Sequence, residues 1–353
     1  MNERSIQLLD RLNTTHSLSL EEYTYLLDHR DEELMRSAAE YAVAYQKKYY
    51  GNRVFIRGLV EFTNYCKNNC LYCGIRRGNR NCKRYRLSPE EIVYCANKGY
   101  DLGFRTVVLQ GGEDPYFSDE MICDILRRIK KEHPDMMITL SIGERTKESY
   151  EAYFKAGAGR YLLRHETADP TLYGHLHPAE MSWENRMRCL RDLRDIGYQV
   201  GAGFMVESPG QTHRQLAMDL KFIEEFLPDM CGIGPYISHR DTPFAEEESG
   251  TLPTTLFCLS LIRMIHPRVL LPATTALGTV DIKGRERGIL SGANVVMPNL
   301  SPRDVREKYT LYDGKICTGE EAAECIRCLK ERVRFVGYEI VTDVGNPAGY
   351  LAP

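Results

Sequence analysis

Three cysteines within eight residues, Cys66, Cys70 and Cys73 in "NYCKNNCLYCGIRR", have the most chemistry to offer. A disulfide uses two thiols and a closed zinc site four ligands. Three thiolates in a compact C-x3-C-x2-C loop suit a four-iron cluster in which one iron keeps a position open for an outside ligand. The competing reading is a structural zinc whose fourth ligand lies far off in sequence. The aromatic Tyr72 before the last cysteine, and the loop's place directly after a strand-like run, weigh against it. A second triplet, Cys317, Cys325 and Cys328, lies in "KICTGEEAAECIRCLKERV". Cys325 and Cys328 fall three apart on an expected helix and so share a face, while Cys317 can fold over it. The plain alternative is three packed thiols, which is also how Cys82, Cys95, Cys123, Cys189, Cys231 and Cys258 read.

These loops need elements to position them. The first 50 residues carry a helix-like period closed by Gly51. Strand-like runs then begin near Val54, Thr106, Met137, Arg160, Gln199, Met230, Leu270 and Val295, with amphipathic helical stretches between them. "SPEEIVYCANKGYDLG" opens with serine and proline in N-cap and first-turn positions, and "SWENRMRCLRDLRDIG" runs from Ser182 to Gly197. Eight strands alternating with helices predict an α/β fold, a (β/α)8 TIM barrel over 51–300, with an N-terminal helical cap over 1–50 and a C-terminal extension over 301–353. A doubly wound sheet would need fewer strands or a linker to a second domain. In such barrels the site lies where strands end and loops begin, and the unusual residues collect there.

The net charge is −3 with both signs interspersed, which argues against a nucleic-acid or membrane partner. No apolar run has the length of a span, and the N-terminal stretch lacks a secretory core. The expected location is cytoplasmic, where clustered thiols bind metal rather than pair.

"CKNNCLYC" resembles the C-x3-C-x-aromatic-C signature of the radical S-adenosylmethionine (radical SAM) enzymes. That resemblance implies a 4Fe–4S cluster on Cys66, Cys70 and Cys73 whose open iron takes SAM, with reductive cleavage to a 5′-deoxyadenosyl radical. More closely, "IRGLVEFTNYCKNNCLYCGIRRGN", "VVLQGGEDPY", "RYLLRHETADP", "GIGPYISHRDTP" and "PATTALGT" in this order are similar to the HydE family, the radical SAM maturases of FeFe-hydrogenase, from about residue 50 to 335. The family implies a second iron–sulfur cluster (2Fe–2S or 4Fe–4S) on the C-x7-C-x2-C of Cys317, Cys325 and Cys328. It implies work on a small anionic, cysteine-derived or organometallic substrate towards the 2Fe subcluster of the hydrogenase H-cluster. An electron donor such as ferredoxin or flavodoxin, and other hydrogenase maturases, would be partners. A mutase resembling methylornithine synthase is the enzyme alternative, and an iron–sulfur carrier or scaffold the non-enzyme one. Biotin synthase fits less well, because the spacing of its second-cluster ligands is not seen.

By position the resemblance puts Tyr72, Gly111, Gly112, Glu113, Thr139, Ser141, Glu166, Arg186, Met230 and Tyr309 around SAM. Thr274, Thr275 and Tyr312 fall at the substrate end. Relatives often carry serine at Gly111 and glycine at Glu207. Alternation along "RYLLRHE" points Arg160, Leu162, Arg164 and Glu166 one way, and His165 into the core. Inward arginines need anions, so Arg160 and Arg164 are expected to bind substrate. Gly201, Gly203 and Met205 share a face, and the missing side chains are expected to open a cavity there.

Overall fold

The structure is a computed structural model that describes residues 2–316, 318 and 322–350, with the side chains of 322–325 excepted. Three helices lead: Glu3–Thr15, Leu20–Asp28 and Glu32–Tyr50. Ser19 and Glu22 form a reciprocal capping box, and Asp31 caps the third helix at Leu34 N. This layer packs against helices His213–Phe226 and Leu252–Ile265 on the barrel's outside.

The first strand-like run is two strands: β1 (Arg53–Ile56) and β2 (Gly58–Thr63). Then come β3 (Thr106–Gly111), β4 (Met137–Ser141), β5 (Ala158–Leu162), β6 (Gln199–Ala202), β7 (Met205–Val206), β8 (Met230–Cys231) and β9 (Gly234–Pro235). The last two are β10 (Val295–Val296) and β11 (Glu339–Val341). Strands β2-β3-β4-β5-β6-β8 form one parallel sheet. Single bridges carry the ring onward, from Met230 to Leu270 and from Pro272 to Val295, and β10 pairs with β1. The bridge from Leu59 to Asn299 completes closure. The run from Leu270 contributes only these bridges. By Thr275 the chain is already helical (Thr275–Val280), so Thr274 and Thr275 sit at a helix start rather than on a strand. The interstrand helices match their start signals. Ser88 closes a capping box on Pro89–Asp101, and Gly197 ends Trp183–Ile196 in the left-handed region that glycine tolerates.

Strand β11 was not expected. It pairs parallel with β1 outside the eight-strand series. The residues after it turn under the barrel, where Gly345, at φ 67°, lies against the Phe55 ring. Among the described residues no helix is long and apolar enough to cross a membrane.

Candidate active site at the top of the barrel

The loop after β2 carries the first cysteine triplet, and backbone capture holds it in shape. Arg84 donates to the carbonyls of Asn64, Ile75, Arg76 and Asn79, tying the two ends of the loop together. Asn64 donates to Lys83 O at 2.9 Å and Lys308 O at 2.7 Å. Gly74 N donates to Leu311 O, and a side chain on Gly74 would run into Thr310 O and the His239 ring. Gly112 lies flat on the backbone of Tyr65 and on Cys66, so the glycine-rich turn after β3 touches the first cysteine.

All three thiols are half-buried and free. Burial pushes each one's pKa up, Cys73 to about 12, and mutual repulsion adds to this at Cys70 and Cys73. Three buried thiolates side by side need a compensating cation. That donor set fits an iron–sulfur cluster, in which each thiolate takes its own iron. Among the described residues no group of three His, Cys, Asp or Glu is placed to hold a single ion.

The cysteines line a cavity of about 340 Å³ at the end of the barrel where strands run out. Tyr72, Gly111, Gly112 and Glu113 form the wall beside them, and Ser141, Glu166 and Arg186 the next. Arg164, Thr274, Thr275, Tyr309 and Tyr312 complete the lining. Glu113 accepts from Glu144 N at 3.0 Å and pairs with Lys67 at 3.2 Å. Arg186 is locked by Glu144 at 2.6 Å and by Arg164 O, and ion pairing holds its pKa above the ordinary value despite burial.

Glu166 has φ 66°, an uncommon conformation for a residue with a side chain. Its N–H donates to Gly203 O at 3.0 Å, which fixes the carboxylate towards the cavity. Arg164 Nη2 lies 3.1 Å from Glu166 Oε2 without hydrogen-bond alignment. Arg164 Nε and Nη2, Glu166 Oε2 and Thr274 Oγ1 are buried with no hydrogen-bond partner. Unsatisfied donors and an acceptor around one cavity are what a polar ligand would complete.

Three expected site residues lie elsewhere. Arg160, Thr139 and Met230 line a separate small chamber deeper in the barrel, with Arg57 and Gly201. Arg160 does face inward, as alternation predicts, but it lies within β5 while Arg164 follows the strand's end, about 13 Å higher at extended spacing. There it donates to Gln199 Oε1, Thr106 Oγ1, the carbonyls of Val344 and Gly345, and Asn346 Oδ1. Those partners leave it nothing to offer a substrate. Met230 Sδ accepts from Arg57 at 2.6 Å, and Thr139 is buried at the same level. Gly201 on β6 and Gly203 just after it serve packing: a side chain on Gly203 would strike Gly232 O, and one on Gly201 would meet Leu162 and Met230.

Glu207 lies outside the cavity lining. It accepts from Thr251 N and Thr254 Oγ1 and pairs with Arg30 at 3.5 Å, capping helix Leu252–Ile265, whose own Thr251 makes no side-chain cap. Cys317 lies outside the described residues, and Cys325 has only its backbone described. Cys325 and Cys328 share helix Ala322–Phe335, where Cys328 is exposed. The sequence reading missed Met181, whose sulfur is 3.7 Å from Cys70 Sγ, and His177, which accepts from Tyr72 OH at 3.2 Å. It also missed Arg84, whose only signal was the basic run "KRYR".

Residues 60–223 match the model of the Radical SAM superfamily. The chain is 48% identical over 301 residues to the [FeFe] hydrogenase maturase subunit HydE of Thermotoga maritima, covering 85% of this chain and 86% of that one. It is 28% identical over 328 residues to 3-methylornithine synthase of Methanosarcina acetivorans, covering 91% and 90%. The crystal structure of methylornithine synthase (PylB) superposes with a TM-score of 0.83 at 25% identity, over 95% of this chain and 97% of that one. The maturase HydG shares the fold, with a TM-score of 0.79 at 21% identity over 95% and 75%. The cysteine loop, the barrel that presents it and the extent of the likeness agree: this chain is a radical SAM enzyme and belongs, as a HydE-like member, to that superfamily.

Proposed function

We propose that the chain acts in FeFe-hydrogenase maturation, on a small anionic precursor bound beneath SAM in the upper cavity. The observation that carries this reading is the convergence on one cavity of three thiols, a glycine-rich turn and the unsatisfied Arg164, Glu166 and Thr274. With its cluster bound, the site would supply one electron to SAM and release a 5′-deoxyadenosyl radical. Cys66, Cys70 and Cys73 would hold the cluster. Gly111 and Gly112 let backbone approach SAM's amino group, while Glu166, Arg186 and Tyr309 would fix its sugar and carboxylate. Arg164 offers an open guanidinium edge to a substrate carboxylate, a role Arg160 is too engaged to fill, with Thr274, Thr275 and Tyr312 beside it. The mostly apolar walls would limit water around a reactive radical. The higher identity to HydE than to 3-methylornithine synthase favours maturation over a mutase reaction.

The test is reconstitution with iron and sulfide, then 5′-deoxyadenosine assay. Alanine at Cys66, Cys70 or Cys73 should abolish product, and wild-type yield from any one of them sinks the assignment. We further propose a second cluster on Cys317, Cys325 and Cys328. Their triple alanine variant should lose iron and sulfide yet keep SAM cleavage; unchanged iron content rules the second site out.

A further inference from the structure

We propose that the outer face of the cluster loop, residues 76–83, is the docking surface for a small acidic one-electron carrier protein. This rests on the reading above, since the carrier's electron would go to the centre held by Cys66, Cys70 and Cys73. The sequence contains no acidic residue between Glu61 and Glu90 but has Lys67, Arg76, Arg77, Arg80, Lys83, Arg84 and Arg86 in that interval, in a chain whose net charge is −3. So sharp a local asymmetry marks a partner surface.

The structure separates the cations by task. Arg84 is spent on loop carbonyls and Arg86 on Asp114, with 2.7 Å between Nε and Oδ2. Arg77, Arg80 and Lys83 remain exposed. They ride on a segment that folds back over the residues between the first two cysteines. Arg77 N donates to Asn68 O at 2.8 Å, Gly78 N to Asn69 Oδ1 at 2.9 Å, and Arg76 Nη2 to Asn69 O at 3.2 Å. One layer of chain thus stands between the thiols and solvent on this side, and its outward charge is positive. All three thiols line the cavity in which SAM and substrate would sit, and none of residues 76–83 does. On this proposal the electron enters through 76–83, the segment bonded to the loop between the first two cysteines.

Four acids border the face, of which Asp304 and Glu307 line one cleft with Lys83 and Asp241. Glu180 lies 3.8 Å from Arg77 with both side chains mostly exposed, so it neutralises little. Asp241 is held by Asn81 at 2.7 Å. A basic surface over a buried redox centre complements an acidic carrier and speeds encounter.

The test compares electron sources. The variant Arg77→Glu/Arg80→Glu/Lys83→Glu is loaded and its iron measured, and 5′-deoxyadenosine formation is followed with dithionite, with reduced flavodoxin and with reduced ferredoxin. Dithionite-driven formation should stay within about twofold of the unaltered protein, while formation driven by at least one carrier falls about tenfold or more at low ionic strength. Binding of that oxidised carrier should weaken by a similar factor, and added salt should slow the unaltered protein far more than the variant. Arg80→Glu alone reads the same effect, smaller, should the triple variant load poorly. Carrier-driven rates and carrier binding unchanged for both carriers overturn the proposal. So does equal slowing by Lys131→Glu/Lys155→Glu/Arg191→Glu on the outer helices, which would make net charge the cause. Failure of the unaltered protein to yield 5′-deoxyadenosine with dithionite instead overturns the functional reading itself.

Discussion

Arg160 and Arg164 share one face of one strand and its extension, yet the two ends of the barrel treat them oppositely. At the lower end Arg160 is 3% exposed and hydrogen-bonded by residues from three other parts of the chain. At the upper end Arg164 keeps two buried nitrogens without hydrogen-bond partners, one of them 3.1 Å from Glu166 Oε2, beside a cavity. Residue type and burial alone do not mark a binding arginine. What marks it is hydrogen-bonding capacity the protein leaves unused.

Substitution at the lower end should do the most damage to the fold. Arg160→Leu strands Gln199 Oε1 and removes the charged donor from Asn346 Oδ1 and the carbonyls of Val344 and Gly345, and should cost about 3–5 kcal/mol of unfolding free energy, read by urea titration. Substrate-free SAM binding should change little. An unaltered urea midpoint would erase the contrast between the two ends. At the upper end Arg164→Leu should leave stability within about 1 kcal/mol while weakening SAM or an anionic substrate about 10–100-fold, the worth of a hydrogen bond to a charged group. Calorimetry separates the two effects, and a stability loss matching that of Arg160→Leu would make Arg164 structural.

The smallest effect sharpens the boundary. His177 lies one side chain behind the open cavity but is as satisfied as Arg160, donating from Nδ1 to Tyr173 O at 2.9 Å and accepting from Tyr72 OH. Burial, with Arg186 nearby, lowers its pKa to about 3 from an ordinary value near 6.5. The folded state holds it neutral, whereas the unfolded chain takes a proton below pH 6.5. Stability from this group is therefore whole above that pH and is lost as pH falls towards 3, about 2 kcal/mol of it by pH 5. His177→Gln should flatten the acid limb of stability by about one proton. An unchanged slope between pH 7 and 5 would show that His177 is not held neutral.

Much of this was legible in the residues. The eight strand-like runs, the capped helices and the cysteine loop follow from period, punctuation and spacing, which are local properties. Alternation correctly turned Arg160 and Arg164 inward. It could not set their height, because depth in a closed barrel depends on the stagger of every strand. Thr139 and Met230, put around SAM by resemblance rather than alternation, line the lower chamber here. Strand β11 escaped notice because its partner β1 lies almost the whole chain away. Arg84 and Met181 act through loop geometry, for which the sequence carries no period.

The tail beneath the barrel bears on how the molecule is made. Val344, Gly345 and Asn346 supply partners for Arg160, and Gly345 O lies 3.5 Å from Arg57. A ribosome releases these residues after every strand of the closed ring. Until they arrive, two arginines face an open lower mouth and keep their water. On the ribosome the floor of the barrel therefore stays wet until this tail is released.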